Sequence, residues 1–200
     1  MKKYVVANFL KGYSQGKGHP PEFWLTEYVV DKLPNHIKYI IDFGSANGRN
    51  FIPFPPDKYK YIGFDIHDEQ EISWMDNIKV EYYEYSLEDF ISDYNKFNID
   101  WKNSLVMSHV SLMYLDNAYQ QNQFISLLKS LGCKNFVFHE YETNELVLNG
   151  ELSEQARNGK LGWFDINEEN LKMFQPPNGS KHYFRDFKNK MCAFISLENE

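Results

Sequence analysis

Cysteine is scarce in this 200-residue chain, which contains only Cys133 and Cys192 and no CxxC motif. Two isolated thiols without a CxxC motif do not form a disulfide framework, and they are typical of a reducing compartment. The chain also lacks an uninterrupted apolar run of the roughly 18 to 20 residues that a bilayer span requires. Its N-terminal apolar patch is broken by Asn8 and Lys11 and lacks a small-residue cleavage site. We therefore expect a cytoplasmic protein without a signal peptide or a membrane partner.

The chain also has no excess of positively charged residues. Lys and Arg number 21 against 28 Asp and Glu, which gives a formal net charge of -7. Because a nucleic-acid backbone is bound through a basic surface, no nucleic-acid partner is expected. Hydrophobic residues make up 42% of the chain and charged residues 24%, a balance typical of globular proteins. The length fits one domain over residues 1–200, and we look for one functional site.

Short apolar runs alternate with helical patterns through the middle of the chain. Strands that alternate with helices are typical of a parallel sheet with helices on both faces. Two further strand-like runs follow, 182–187 and 191–197. The connection between them is so short that it can join only antiparallel neighbouring strands. The sequence predicts a doubly wound α/β fold of about seven strands, mostly parallel, with a C-terminal antiparallel hairpin. The five runs of the parallel part are 39–43, 61–66, 78–85, 104–110 and 135–141.

Helix signals separate these runs. Residues 22–33 place apolar side chains on one helical face. Ser86 and Asp89 have the spacing of a capping box at the start of a second helix. Residues 117–131 have helical apolar spacing and end before Gly132, which predicts a third helix.

Two stretches fall outside this alternation. Residues 1–21 are predicted to be a flexible N-terminal arm or lid, because the segment 12–21 concentrates Gly, Ser and Pro. Residues 142–189 are predicted to be a polar insertion that caps the acceptor side of the site, with a helix over 168–174.

The first strand of the parallel part is followed by a turn of small residues, DFGSANG at 42–48. In an open α/β sheet, ligands bind beyond the carboxyl ends of the strands at a switch point. Gly44 and Gly48 let a ligand approach the main chain, and Ala46 is the next smallest choice. A dinucleotide fingerprint would need glycines where Ala46 and Arg49 stand. The turn therefore favours a nucleoside-containing ligand other than a nicotinamide dinucleotide.

This segment resembles motif I of the class I S-adenosylmethionine-dependent methyltransferases. Asp42, Gly44, Ala46 and Gly48 stand at the matching positions, and Ala46 replaces the middle glycine. The resemblance continues in the family's order, because the next strand ends in the sequence GFD with Asp65 as its carboxylate. In the family, a carboxylate at that strand end accepts hydrogen bonds from both ribose hydroxyls.

The resemblance covers residues 38–140 and implies a Rossmann-like fold with S-adenosylmethionine (SAM) as cofactor and S-adenosylhomocysteine (SAH) as product. It places residues 85–87 beside the adenine, although Ser86 stands where the family often has an acidic residue. Ser108, His109 and Val110 would line the floor beneath the methyl group. The residues that the resemblance assigns to the cofactor are Asp42, Gly44, Ser45, Ala46, Gly48, Asp65, Ile66, Ser86, Leu87 and Ser108.

Two histidines are candidates for catalysis. His109 and His139 end the fourth and fifth parallel strands, which places both at the cofactor edge of the sheet. Transfer to oxygen requires alignment of the acceptor and removal of its proton, and an imidazole titrates in the right range for a general base. Either histidine can instead be structural. A divalent-metal site with Glu140 and Glu142 is a further alternative, but His139 and Glu140 should point to opposite faces of the strand, and we assign no metal.

The acceptor is predicted to be a small metabolite or sugar, methylated on oxygen. The [DN]-P-P-[YF] signature of methyltransferases that act on exocyclic or amide nitrogens is absent after the fourth parallel strand. Basic residues in the polar insertion, such as Arg157, suit an anionic or phosphorylated acceptor. The candidate acceptor contacts are Tyr13, Lys17, His19, Tyr141 and Arg157.

Two other function classes remain open. A catalytically silent methyltransferase-like domain with a regulatory or assembly role would keep the fold without turnover. A nicotinamide-dependent oxidoreductase is disfavoured by the order of the glycines and by the lack of an evident Tyr-x-x-x-Lys pair.

Overall fold

An eight-stranded mixed sheet forms the centre of the molecule. The computed structural model describes residues 2–6, 24–45, 48–66, 79–109, 111–112, 115, 118–141, 180–185 and 190–198. The strands in chain order are β1 Lys2–Val6, β2 Tyr39–Phe43, β3 Lys60–Asp65, β4 Lys79–Glu84, β5 Ser104–His109, β6 Asn135–Tyr141, β7 Ser180–Arg185 and β8 Lys190–Ser196.

The strands lie in the order β1-β4-β3-β2-β5-β6-β8-β7. Strands β2 to β6 pair in parallel with one another. Strand β8 lies between β6 and β7 and is antiparallel to both. The predicted α/β architecture, mostly parallel with a C-terminal antiparallel hairpin, is confirmed. The order reverses at β2, whose neighbours β3 and β5 lie on its two sides, and this is the switch point at which such sheets bind ligands.

Strand β1 accounts for the difference between eight strands and the predicted seven. Residues 2–6 pair antiparallel with β4 at the edge of the sheet, whereas the sequence predicted an irregular arm over 1–21. The run is too short to show a strand period, and its backbone partners come from β4, which is far along the chain. Residues 7–23 lie outside the described residues, and so do 142–179, which include the helix predicted over 168–174.

The first helix is shorter than predicted. Helix α1 covers Trp24–Tyr28, and a 3-10 turn follows at Val30–Lys32, where the sequence predicted one helix over 22–33. The predicted apolar face is nevertheless the buried one, since Leu25, Val29 and Leu33 are all in the core.

The other two predicted helices are confirmed as α2 Leu87–Asp93 and α3 Ala118–Ser130. The predicted capping box begins α2: Asp89 N donates to Ser86 Oγ at 3.0 Å, and Ser86 N donates to Asp89 Oδ2 at 3.4 Å. Gly132 follows α3 with a φ of +91°, the left-handed conformation that glycine adopts after a helix. In the part of the chain that the structure describes, no helix is long and apolar enough to cross a membrane.

The core has two halves, one on each face of the sheet. The half covered by α2 and α3, which we call the α2/α3 face, is rich in stacked and edge-on phenylalanine rings such as Phe43, Phe64 and Phe90. The other half, the α1 face, contains Leu25 and Val29 of the α1 segment. Successive strand residues alternate between the two faces, so the register tells which functional side chains share a face.

Candidate functional site

The turn after β2 is fastened to the neighbouring strand. Gly44 N and Ser45 N both donate to Phe64 O of β3, at 2.8 and 3.1 Å. Gly44 has a φ of +72° and Gly48 a φ of +70°, which are conformations that side-chain-bearing residues rarely adopt. Gly48 N closes the turn by donating to Ser45 O at 2.7 Å. The glycines predicted to shape this turn are therefore required by its backbone.

Two glycines near the turn also allow close packing. A Cβ atom on Gly44 would lie 1.6 Å from Ser111 Oγ, in the segment after β5. A Cβ atom on Gly63 of β3 would lie 2.7 Å from Ser45 Oγ. The turn is thus held between the segment after β5 on one side and β3 on the other. Neither Ser111 nor Gly63 was predicted from the sequence as a site residue.

Asp42 lies directly below the turn, in β2, and is fully buried. Asn50 Nδ2 donates to Asp42 Oδ2 at 3.1 Å from the 3-10 turn Arg49–Phe51. A buried carboxylate needs such donors because burial removes its hydration. Asn50 was missed by sequence reasoning, since eight residues separate it from Asp42 and no known motif links them. Ser45 Oγ and Asn50 Oδ1 are buried without a hydrogen-bond partner in the described residues, which leaves polar capacity beside the turn.

Asp65 is the last residue of β3, and only 7% of its surface is exposed. Its backbone position is fixed from β4, because Tyr82 OH and Tyr85 N donate to Asp65 O at 3.1 and 2.9 Å. Ile66 follows and is 67% exposed, which is unusual for a large apolar residue in the described part of the chain. An apolar side chain and a carboxylate thus stand together where β3 ends.

The strand register places the candidate residues on one face. Asp42 pairs with Gly63 of β3 and with Met107 of β5. Asp65 and His109 lie two residues beyond these partners, and side chains two apart point to the same face. Both carboxylates and His109 therefore belong to the α1 face of the sheet, at or near its carboxyl edge.

His109 and His139 are brought into direct contact. They pair in register across β5 and β6, and their Nδ1 atoms are 2.8 Å apart. The ring centroids are 4.7 Å apart and the rings are tilted by 43°. His139 is 3% exposed, whereas His109 is half-buried. The two imidazoles form one hydrogen-bonded pair at the same edge as the turn.

Several solved structures share this architecture over most of the chain. A SAM-dependent methyltransferase from Archaeoglobus fulgidus matches with a TM-score of 0.59 at 13% identity, over 88% of this chain and 91% of that one. A SAM-dependent methyltransferase from Anabaena variabilis ATCC 29413 gives 0.57 at 12% identity, over 87% and 82%. Magnesium protoporphyrin IX methyltransferase from Synechocystis PCC 6803, with bound SAH, gives 0.56 at 13% identity, over 94% of both chains.

The chain has the class I methyltransferase fold. No protein-family profile and no curated protein sequence matches the chain. At identities this low, the likeness shows the shared fold alone.

The remaining residues that were predicted to bind the cofactor lie in different parts of the fold. Ser108 is buried on the α2/α3 face, opposite to His109. The Ser86 hydroxyl takes part in the cap of α2, since Ser86 Oγ donates to Asp89 Oδ2 at 2.8 Å as well as accepting from Asp89 N. Leu87 is the first residue of α2 and is partly buried. Ala46 and Val110 lie outside the described residues.

The predicted acceptor contacts fall largely outside the described residues. Four of the five lie outside the described residues, namely Tyr13, Lys17, His19 and Arg157. The fifth, Tyr141 at the end of β6, is described only by its backbone. Within the described ranges, no group of three or more His, Cys, Asp or Glu residues could hold a metal ion.

Cys133 is a buried free thiol. Burial raises the pKa of the Cys133 thiol to about 12, so at neutral pH it is protonated and is a poor nucleophile. This thiol therefore has no place in the chemistry of the site.

Proposed function

We propose that the protein is a cytoplasmic SAM-dependent methyltransferase that acts on a hydroxyl oxygen of a small metabolite or sugar. The proposal is carried by Asp65, a carboxylate at the carboxyl end of β3, the strand to which the Gly44–Gly48 turn is hydrogen-bonded. A glycine turn beside a strand-end carboxylate suits a nucleoside, because the main chain can approach the ligand while the carboxylate binds the ribose. SAM, when bound, supplies a methyl group activated by a sulfonium.

The chain's own residues divide the binding task. The Asp65 carboxylate accepts hydrogen bonds from the two ribose hydroxyls. Such hydrogen bonds are stronger when they are made to a charged oxygen than to a neutral one. Ile66 covers one side of the adenine with its exposed apolar side chain, and Leu87 covers another. The turn, held open by Gly44 and Gly48, leaves room for the rest of the ligand against the main chain.

His109 serves the acceptor. It lies on the same face as Asp42 and Asp65, and its half-buried ring lies at the carboxyl edge where the methyl group would be delivered. An acceptor hydroxyl must lose its proton as the new O–C bond forms, and in this proposal His109 takes it. In the same proposal the acceptor carries an anionic group, and Arg157 binds that group.

Calorimetry with SAH tests the cofactor site. We expect micromolar binding to the wild-type protein and at least a tenfold loss in Asp65→Ala, equivalent to about 1.4 kcal/mol. Asp57→Ala is the matched control, because Asp57 is an exposed aspartate just before the opposite end of β3, and it should change affinity less than twofold. Absence of binding to the wild type, or equal losses in the two variants, would contradict the proposal.

A screen of hydroxylated acceptors tests the reaction. Sugars, sugar phosphates and hydroxy acids are incubated with SAM and the protein, and methylated products are detected by mass spectrometry. We expect a product with at least one of these classes. A protein that binds SAH but methylates none of them would instead support the silent methyltransferase-like domain.

A further inference from the structure

Two histidines, His109 at the end of β5 and His139 within β6, are joined by a hydrogen bond between their Nδ1 atoms. Parallel pairing brings His109 and His139 opposite each other, and the 2.8 Å between their Nδ1 atoms is a full hydrogen bond. Ala193 of β8 is the register partner of His139 on its other side, and Val137 precedes His139 on the same face. The buried ring of His139 thus has small or apolar neighbours, one on β8 and one on its own strand. The half-buried ring of His109 lies on the strand nearer the turn.

A bond between two Nδ1 atoms restricts the protonation of both rings. One Nδ1 must carry the proton and the other must offer a lone pair, so the two rings cannot both be doubly protonated while the bond persists. In the neutral pair, the donor ring has its lone pair on Nε2, and the acceptor ring has its proton on Nε2. The hydrogen bond therefore assigns opposite tautomers to the two histidines.

We propose that His139 is a positioning residue whose Nδ1 accepts the hydrogen bond from His109 Nδ1–H. In this arrangement His109 presents the lone pair of Nε2, the nitrogen on the far side of its ring from His139. His139 thus fixes both the tautomer and the orientation of His109, a task for which a buried carboxylate is the commoner solution. The opposite tautomers follow from the hydrogen bond itself, whereas its direction and the role in catalysis rest on the proposed function.

The proton transfer balances without any further reactant. The hydroxyl oxygen of the acceptor forms a bond to the methyl carbon as the carbon–sulfur bond breaks, and the sulfur keeps that electron pair. The hydroxyl proton moves to His109 Nε2, which becomes an imidazolium. His109 Nδ1–H continues to donate to His139 Nδ1, so the pair accepts one proton with its hydrogen bond intact. The proton returns to water after product release.

Nitrogen-15 NMR of the histidine rings tests the assignment in the free protein. Ring shifts and their couplings to carbon-bound protons distinguish the Nδ1–H tautomer, the Nε2–H tautomer and the imidazolium. At about pH 8, where an unperturbed imidazole is neutral, we expect His109 as Nδ1–H and His139 as Nε2–H. Two rings in the same tautomer, the opposite assignment, or two imidazolium rings would overturn the proposal.

Two substitutions at His139 separate positioning from simple packing. His139→Phe keeps a ring but removes the acceptor, so His109 should change to the Nε2–H tautomer that free histidine prefers. His139→Asn offers a carbonyl oxygen at the position of His139 Nδ1, and should restore the Nδ1–H tautomer at His109. His36→Gln is the control, because His36 is on the surface near Glu198, and it should leave the signals of the pair unchanged. If a His139 variant does not fold, the wild-type spectrum still decides the assignment.

Turnover separates this inference from the proposed function. With an acceptor from the screen, His139→Phe should lower kcat at least tenfold and leave the KM for SAM within twofold, since a general base typically contributes about 10² to 10⁴ in rate. His139→Asn should recover part of the loss. Failure of SAH to bind contradicts the proposed function and, with it, the role of the pair in catalysis. The wrong tautomers in a protein that does bind SAH contradict this inference and leave the cofactor site standing.

Discussion

At the scale of single residues, Gly44 meets two constraints at once. Its φ of +72° disfavours any side chain, and a Cβ atom would overlap Ser111. Left-handed backbone at a residue other than glycine costs about 1–3 kcal/mol, and the overlap adds to that cost. We expect Gly44→Ala to lower the free energy of unfolding, measured by urea denaturation, by at least about 2 kcal/mol.

Gly132 offers a matched comparison. It also has a positive φ, of +91°, but its Cβ atom would lie 2.9 Å from Lys102 Cγ, a much smaller overlap than the 1.6 Å at Gly44. Gly132→Ala should therefore be less destabilising than Gly44→Ala. Adding Ser111→Gly to Gly44→Ala should recover the part due to overlap. Equal losses at the two glycines would contradict the close contact with Ser111.

The hydrogen bond from Asn50 to the buried Asp42 gives a second prediction. Asn50→Ala leaves a buried carboxylate without this donor, and such a loss costs about 1–3 kcal/mol. Asn103→Ala removes the same chemical pair on the surface, where Asn103 Nδ2 donates to Asp100 Oδ2 at 2.7 Å, and should cost less than about 0.5 kcal/mol. Thermal and urea unfolding measure both; similar effects would argue against a structural role for the buried pair.

Asn50 and Ser111 also show what sequence reasoning leaves out. The motif residues Asp42, Gly44 and Asp65 could be found because each has a fixed place relative to a strand end. Asn50 and Ser111 contact the motif only because the chain folds back on it, and no spacing rule records such a contact. The hydrogen bond between His109 and His139 likewise depends on a register between strands 30 residues apart in sequence.

At the scale of elements, the strands of the parallel sheet were predictable because buried strands are continuous apolar runs bounded by polar turns. Strand β2 matches its predicted bounds, and β5 and β8 differ by one residue or so. Strand β1 was not predictable, since its partner β4 lies more than 70 residues away and its own five residues show no period. Helix α1 was predicted too long because apolar periodicity does not distinguish an α-helix from a 3-10 continuation.

At the same scale, the N-terminal cap of α2 leads to a prediction about stability. Ser86→Ala removes the acceptor for Asp89 N and should destabilise the protein by about 1 kcal/mol. Ser92→Ala, in the last turn of the same helix, removes a hydroxyl that only donates to Glu88 O, and should change stability by less than about 0.5 kcal/mol. Urea denaturation compares the two; an unchanged Ser86→Ala would contradict the capping role.

At the scale of the whole molecule, Phe90 joins α2 to the sheet and to α3. Its fully buried ring lies within 6 Å of five other aromatic rings, those of Phe43, Phe64, Phe97, Trp101 and Phe124. Phe90→Ala should cost about 3–5 kcal/mol because a cavity would remain. Tyr119→Ala, at a side chain 75% exposed on α3, should cost less than about 0.5 kcal/mol. A small effect at Phe90 would show that the ring cluster can repack.

The paired hydrogen bonds from Gly44 N and Ser45 N to Phe64 O have a consequence for ligand binding. Phe64 is the residue next to Asp65, so one peptide of β3 is tied to the turn on one side and carries the carboxylate on the other. The two halves of the site are thus joined in the folded chain by two hydrogen bonds and one peptide of β3. The entropy lost in bringing them together is incurred when the chain folds, and a ligand that fits both halves does not have to supply it again.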